Sequence, residues 1–328
     1  MNWRKNSREL YKNMKPLIIL TGPTAVGKTD LSISLAKAVG GEIISADSMQ
    51  VYKKMNIGTA KITKEEMDGV THHLIDVLDP SEEFNVFLFK ELSKKAMEEI
   101  YERGHIPIIT GGTGFYIQSV IYDIDFNEEN GDKTYRKELE LIAQEKGNDY
   151  LYSMLKEVDP ESTNEIHANN VKRVIRALEF YHETGQKISE HNKKQREKTS
   201  PYNFAYFVLN DLRDKVYERI NKRVDIMVEN GLIDEVKGLI NDGYTRDLVS
   251  MQGLGYKEII DAINGEITME EAIYKIKLET RHFAKRQLTW FRREKDVIFL
   301  NKNEFNYEKE AILNYIRTCL IDKKIIED

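Results

Sequence analysis

Residues Gly22-Pro23-Thr24-Ala25-Val26-Gly27-Lys28-Thr29 carry the spacing G-x-x-x-x-G-K-[ST], the pattern of a loop that grips a phosphate-type anion. The two glycines permit a tight turn whose backbone N–H groups converge on one anion. The helix expected after them adds the positive end of its dipole. Lys28 contributes a mobile point charge for terminal phosphate oxygens, and Thr29 a hydroxyl suited to Mg²⁺. Alone, the loop suggests ATP and a transferable phosphate; it identifies an anion and not a reaction.

Two more segments are placed to do chemistry beside it. The run Glu42–Ala46 delivers Asp47, followed by Ser48, Met49 and Gln50. A carboxylate at a strand end suits a general base or a water-mediated metal partner; the bland alternative is a helix or turn cap. The run Ile106–Thr110 ends in Gly111-Gly112-Thr113-Gly114. An NTPase usually carries a Walker-B aspartate there for Mg²⁺. Glycines and a threonine in its place count against ATP hydrolysis or phosphoryl transfer.

These groups meet only if their strands share one edge. Leu17–Leu20, Glu42–Ala46 and Ile106–Thr110 are unbroken apolar runs, as in strands of a parallel sheet buried on both faces. Helical patterns at Lys28–Val39 and Phe87–Arg103 lie between them, and strand candidates return at Phe204–Leu209 and Val297–Leu300. In such open α/β sheets ligands bind beyond the carboxyl ends of the strands. Between Tyr122 and Ser200 no strand pattern occurs: a polar loop at Asp125–Lys133 precedes helical patterns at Arg136–Glu145, Tyr150–Glu157 and Val171–His182. The expected fold is therefore an α/β, P-loop NTPase-like parallel sheet flanked by helices, with an inserted helical domain. The expected boundaries are 16–122 and 204–300 for the core, 123–203 for the insert and 301–328 for a C-terminal helical tail.

Composition narrows the class. The 328 residues suggest about two domains, and no run approaches the roughly 18 apolar residues of a membrane span. The N-terminus is polar and basic without an apolar signal core, and Cys319 is the sole cysteine, so a reducing cytoplasm is expected. The net charge of −6 means that a nucleic-acid partner requires local basic patches. One such patch is legible at Arg281–Arg293. At about 100° per residue, Arg281, His282, Lys285, Arg286, Thr289, Arg292 and Arg293 share an arc of about 140°. Phe283, Ala284, Gln287, Leu288, Trp290 and Phe291 fall on the other side. This is a helix with one face for the core and one for phosphates, or simply a solvated charged face. His72, His73 and Asp76 lack a third ligand at metal spacing, and a structural role is expected for them. Asn301-Lys302-Asn303-Glu304 follows a strand but has glutamate where a GTPase base-recognition motif wants aspartate.

The segments GPTAVGKT, ISADSMQVYKKMNIGTAK, HHLIDVLDP, GGTGFY, RVIRALE, MQGLGYKE and AKRQLTWFRR together resemble the bacterial-type tRNA dimethylallyltransferases, the tRNA isopentenyltransferases of the IPP transferase family. The resemblance runs in order from about Leu17 to Arg293 and is far more specific than the loop alone. It implies transfer of the dimethylallyl group from dimethylallyl diphosphate to the exocyclic amine of adenosine 37, beside the tRNA anticodon. It implies Asp47 as general base, Thr113 at the amine or donor, and a diphosphate held by Gly22–Thr29 with Mg²⁺ at Thr29. An arginine from the segment around Arg219 and Arg223, which are four residues apart, completes the clamp, with Arg223 favoured. Expected tRNA contacts are Asp47–Gln50, Thr113, Arg136, Lys172, Arg173 and Arg176. Further along the chain they are Gln252, Gly253, Gly255, Tyr256, Lys257, Arg281, Lys285, Arg286, Gln287, Trp290 and Arg292. The target base must be flipped out of its stack to reach Asp47. A monomer is expected.

Two other readings compete. A P-loop kinase of a small metabolite would use the loop for ATP and Asp47 for a substrate hydroxyl; an adenylate isopentenyltransferase would take a free nucleotide as acceptor. The missing Walker-B carboxylate speaks against the first, and the helical insert and basic helix favour tRNA over the second. A non-catalytic tRNA-binding P-loop module would not require Asp47 together with Thr113.

Overall fold

The computed structural model describes residues 14–126 and 134–328; most of the polar loop expected at Asp125–Lys133 lies outside them. Six strands form one sheet: β1 (Lys15–Thr21), β2 (Gly41–Ala46), β3 (His72–His73), β4 (Ile106–Gly111), β5 (Tyr202–Asn210) and β6 (Val297–Asn301). All pairings are parallel, in the order β3-β2-β4-β1-β5-β6. The apolar runs explain this, because Leu17–Leu20 are fully buried on both faces.

Helix α1 (Lys28–Val39) leaves the anion loop, with left-handed glycines at both ends, Gly27 at φ 98° and Gly40 at φ 62°. Next come α2 (Val86–Glu102), capped by the Asn85 side chain accepting from the Leu88 N–H at 2.9 Å, and α3 (Gly114–Ile121). The chain divides into two compact units, one running to Ile121 and resuming at Pro201–Asp328, the other Tyr122–Ser200. The second holds α4 (Thr134–Lys146), α5 (Asn148–Val158), α6 (Val171–Thr184) and α7 (Ile188–Arg196) around Leu139, Leu151, Leu155, Val174 and Leu178.

After β5 follow α8 (Arg213–Glu229), α9 (Leu232–Asn241), α10 (Tyr256–Ile263), α11 (Met269–Phe291) and, beyond β6, α12 (Lys309–Asp322). Helix α11 begins at a reciprocal cap in which Glu271 N–H meets Thr268 Oγ1 at 3.2 Å and Thr268 N–H meets Glu271 Oε2 at 2.8 Å. The last helix is part of the core: Ile312, Ile316 and Leu320 pack with Leu31, Leu35, Ile108 and Phe207. Each such side chain contributes about 1.5–3 kcal/mol by leaving water.

At the amino ends of the strands sits a buried carboxylate. Glu42 accepts the Nε–H and an Nη2–H of Arg103, each at 2.8 Å, and lies 2.7 Å from His73 Nε2 and 2.7 Å from His105 Nδ1. The Arg103 bonds lead in holding its pKa down at about 2, against the cost of burial. His73 thus serves this network, while Asp76 pairs with Lys61 at 2.5 Å.

Candidate active site

Because β4 lies between β2 and β1, the segments after these three strands emerge side by side at one sheet edge. The anion loop leaves β1. Gly22 (φ 149°) has no room for a side chain, since a Cβ would lie 2.2 Å from the Leu209 carbonyl oxygen at the end of β5. Ala25 at the crest holds a left-handed φ of 60°, a strained state for a residue with a Cβ. Arg219 secures it, donating Nε–H to the Ala25 carbonyl at 2.9 Å and Nη2–H to the fully buried Asp211 carboxylate at 2.8 Å. Burial works against the charge on Asp211, yet Arg219, the Leu212 N–H and the Tyr307 hydroxyl hold its pKa below the ordinary value. Lys302, from the segment after β6, rests 3.5 Å from the Val26 carbonyl.

Lys28 folds back over the loop, donating to the Gly22 and Pro23 carbonyls at 2.9 and 2.8 Å. Burial and the neighbouring charge of Arg223 push its pKa down to about 7, with Asp47 opposing them. Burial likewise lowers the Arg223 pKa, and Asp47 again opposes. Lys28, Arg223 and Asp47 therefore share one electrostatic neighbourhood. Asp47 Oδ1 accepts the backbone N–H of Met49 at 2.9 Å and of Gln50 at 3.3 Å, which fixes the carboxylate. The Gly111–Gly114 turn is tied to the same strand, because the Thr113 N–H donates to the Ala46 carbonyl at 3.2 Å. Thr21 Oγ1 donates to the Gly111 carbonyl at 2.6 Å, joining β1 to β4.

Further expected residues border this centre. Gly253 lies so close to Met49 that a Cβ would meet Met49 Cε at 2.5 Å, which sets the Gln252–Lys257 segment against Asp47–Gln50. Gln252 is exposed and Lys257 half-buried. Trp290 covers Gly114, where a Cβ would stand 2.2 Å from its Cδ1, and its ring meets Phe115 edge-on at 6.1 Å. Lys285, Arg286 and Arg292 are exposed, and Arg281 is half-buried with Nη1 3.4 Å from Asn221 Oδ1. In the helical unit Lys172 and Arg173 are exposed and Arg176 is half-buried.

Several expectations change. Tyr256 is fully buried, its hydroxyl donating to Glu235 at 2.7 Å, so its side chain anchors structure. Glu235 also accepts the N–H groups of Asn56, Ile57 and Gly58 at 2.8–3.0 Å, a support with no sequence signal. Gln287 is 6% exposed and its amide is bonded inward, to the Thr24 N–H and the Gly112 carbonyl. Gly255 is buried. Arg136 forms a bidentate pair with the buried Glu179, at 2.8 Å on each arm, which commits its guanidinium within the helical unit. Phe283, placed on the core face of its helix, is 36% exposed beneath the Arg286 guanidinium. Arg219 braces the loop crest, whereas Arg223 is felt electrostatically by Lys28 and feels Asp47, so the two arginines have different surroundings.

For Mg²⁺, the side chain offered is the exposed Thr29 at the start of α1, and no group of three or more metal-binding side chains occurs among the described residues. Such a donor set fits an ion held mainly by diphosphate oxygens and water.

A parallel sheet that brings an anion loop, a fixed carboxylate and a glycine-threonine turn to one edge defines a P-loop-like α/β group-transfer enzyme. A profile of the IPP transferase family matches residues 50–294. The chain is 57% identical over 314 residues to the tRNA dimethylallyltransferase of Lachnoclostridium phytofermentans, covering 96% of this chain and all of that one. Among solved structures it resembles the tRNA isopentenylpyrophosphate transferase of Bacillus halodurans (46% identity, TM-score 0.71, 95% of this chain and 98% of that one). It also resembles a eukaryotic dimethylallyltransferase acting on tRNA (32%, TM-score 0.76, 88% of this chain and 74% of that one). The chain belongs to the IPP transferase family and is an enzyme of the prenyltransferase class. Among the described residues no helix is long and apolar enough to cross a membrane.

Proposed function

We propose that this enzyme transfers the dimethylallyl group from dimethylallyl diphosphate to the exocyclic amine of adenosine 37 of tRNA. The amine nitrogen forms a bond to the allylic carbon as the carbon–oxygen bond breaks. The electron pair leaves with diphosphate, and the amine proton passes to Asp47. Oδ1 of Asp47 is engaged by two backbone N–H groups, which leaves Oδ2 to take that proton. A base so placed contributes about 10²–10⁴-fold. The loop N–H groups, Lys28 and Arg223 neutralise the charge that develops on the leaving group. Mg²⁺, held through Thr29 and the diphosphate, would add further positive charge there. Thr113 orients the amine or the donor.

The observation that carries the reading is the single sheet edge shared by the anion loop, with Lys28 folded over it, and the Asp47 carboxylate fixed by the Met49 and Gln50 N–H groups. The exposed Lys285, Arg286 and Arg292, with Lys172 and Arg173 of the helical unit, supply the phosphate contacts of an RNA acceptor. The test incubates the protein with unmodified tRNA and dimethylallyl diphosphate and examines adenosine 37 by mass spectrometry. One added five-carbon unit is expected. No addition, together with ATP-dependent phosphorylation of a metabolite, sinks the reading in favour of a kinase.

A further inference from the structure

Helix α11 does more at the site than carry basic residues on its outer face. Gln287 points inward, with its two amide ends on different parts of the centre. Its Oε1 accepts the Thr24 N–H of the anion loop at 2.9 Å, and its Nε2–H donates to the Gly112 carbonyl of the acceptor turn at 3.0 Å. The fit is close from the other side, since a Cβ on Gly112 would lie 2.1 Å from Gln287 Nε2. Burying a primary amide is costly unless both ends are bonded, and here both are.

We propose that Gln287 is a positioning residue that holds the donor loop and the acceptor turn in register. The proposal rests on the prenyl-transfer reading above. The chemistry explains why such a clasp matters. The attacking nitrogen is aligned from the Asp47–Thr113 side and the breaking carbon–oxygen bond from the loop side. A relative shift of about 1 Å costs about 10²-fold in rate. The clasp also assigns the loop donors. Pro23 has no N–H and that of Thr24 faces Gln287, so beyond Gly22 the grip on diphosphate falls to the N–H groups of Ala25–Thr29. Lys285 and Arg286, exposed on the same helix turn, place the RNA-facing surface directly behind this clasp.

The full-length protein and the variants Gln287→Met, Gly112→Ala and their combination test this. Met keeps the volume and loses both bonds, whereas the methyl that Gly112→Ala adds displaces the amide while leaving Gln287 in place. Expected for each single variant is a fall in kcat of about 10²-fold, with tRNA affinity and its salt dependence within about twofold and an intact cooperative thermal transition. The double variant is expected to be no slower than either single one, because both break the same contact. Unchanged kcat in folded Gln287→Met, a parallel loss of tRNA affinity, or losses that multiply in the double variant each overturn the proposal. If Gln287→Met does not fold, Gly112→Ala decides the question alone. A wild-type protein that transfers nothing sinks the underlying reading as well; an active wild type with equally active variants sinks only the clasp.

Discussion

Donor binding is expected to weaken as pH rises through neutrality, and Lys28 sets the size of the effect. Its ammonium has a pKa of about 7, because burial and Arg223 disfavour the charge. A diphosphate pairs with the charged form and lifts that pKa, so binding takes up a proton. The sign follows: the Lys28 contribution is fully present below pH 7 and is lost above it, up to the pKa in the complex. The apparent dissociation constant then scales as 1 + 10^(pH − 7), which gives roughly 90-fold weaker binding at about pH 9 than at about pH 6. The donor's own phosphate ionisation runs the other way, so the comparison is with Lys28→Arg, whose charge persists over this range. Calorimetric titration of dimethylallyl diphosphate without tRNA, in buffers of different ionisation enthalpy, reports both affinity and proton uptake. Wild type is expected to take up close to one proton per donor at about pH 8.5 beyond the uptake of Lys28→Arg. Equal pH slopes and equal proton uptake in the two proteins would refute the claim that burial holds Lys28 near neutrality.

Asp47→Ala is expected to keep tRNA affinity and lose about 10²–10⁴-fold in turnover; equal loss of both in filter binding and single-turnover assays makes Asp47 a structural group. Arg219→Ala leaves the Asp211 carboxylate buried without its guanidinium and is expected to cost on the order of 2–4 kcal/mol in urea denaturation. Arg223→Ala is expected to keep stability and lose turnover, so matching stability losses in both would erase the distinction drawn between them. For Glu42, a pKa depressed from 4.5 to about 2 corresponds to about 3 kcal/mol of stability. That stability is present above about pH 4.5 and lost as pH falls towards 2; Glu42→Gln is expected to be less stable at neutrality, with the gap closing in acid. A constant gap across that pH range would contradict the Glu42 network. Replacing Lys285, Arg286 and Arg292 together by alanine is expected to reduce the salt slope of tRNA binding by about 2, and an unchanged slope places the RNA elsewhere.

The parts of this enzyme that were readable in its sequence are those where one segment decides the outcome. Leu17–Leu20 and Ile106–Thr110 are too apolar to be anything but strands buried on both faces, and the structure places them in β1 and β4. The anion loop is local in the same sense, since its glycines, lysine and threonine lie within eight residues. What stayed hidden was pairing across the chain. The two-residue strand β3 has no apolar run; it pairs with β2, where His73 meets Glu42, thirty-one positions away. Helix α7 is too polar to show a period, with no buried residue along its length.

The candidate site divides along the same line. Periodicity put Gln287 on the inward side of its helix, yet a glutamine in a basic segment still reads as an RNA contact. Its two partners, Thr24 and Gly112, lie 263 and 175 positions away and lend it no local signal. Arg219 and Arg223 look equivalent because one helical turn separates them. They part company only through Asp211, which draws Arg219 down onto the loop crest while Arg223 stays with Lys28 and Asp47. Residue type and spacing thus nominate the groups able to do the chemistry. Which of them touch the reactants, and which hold the others still, depends on polar partners that only the folded chain brings within reach.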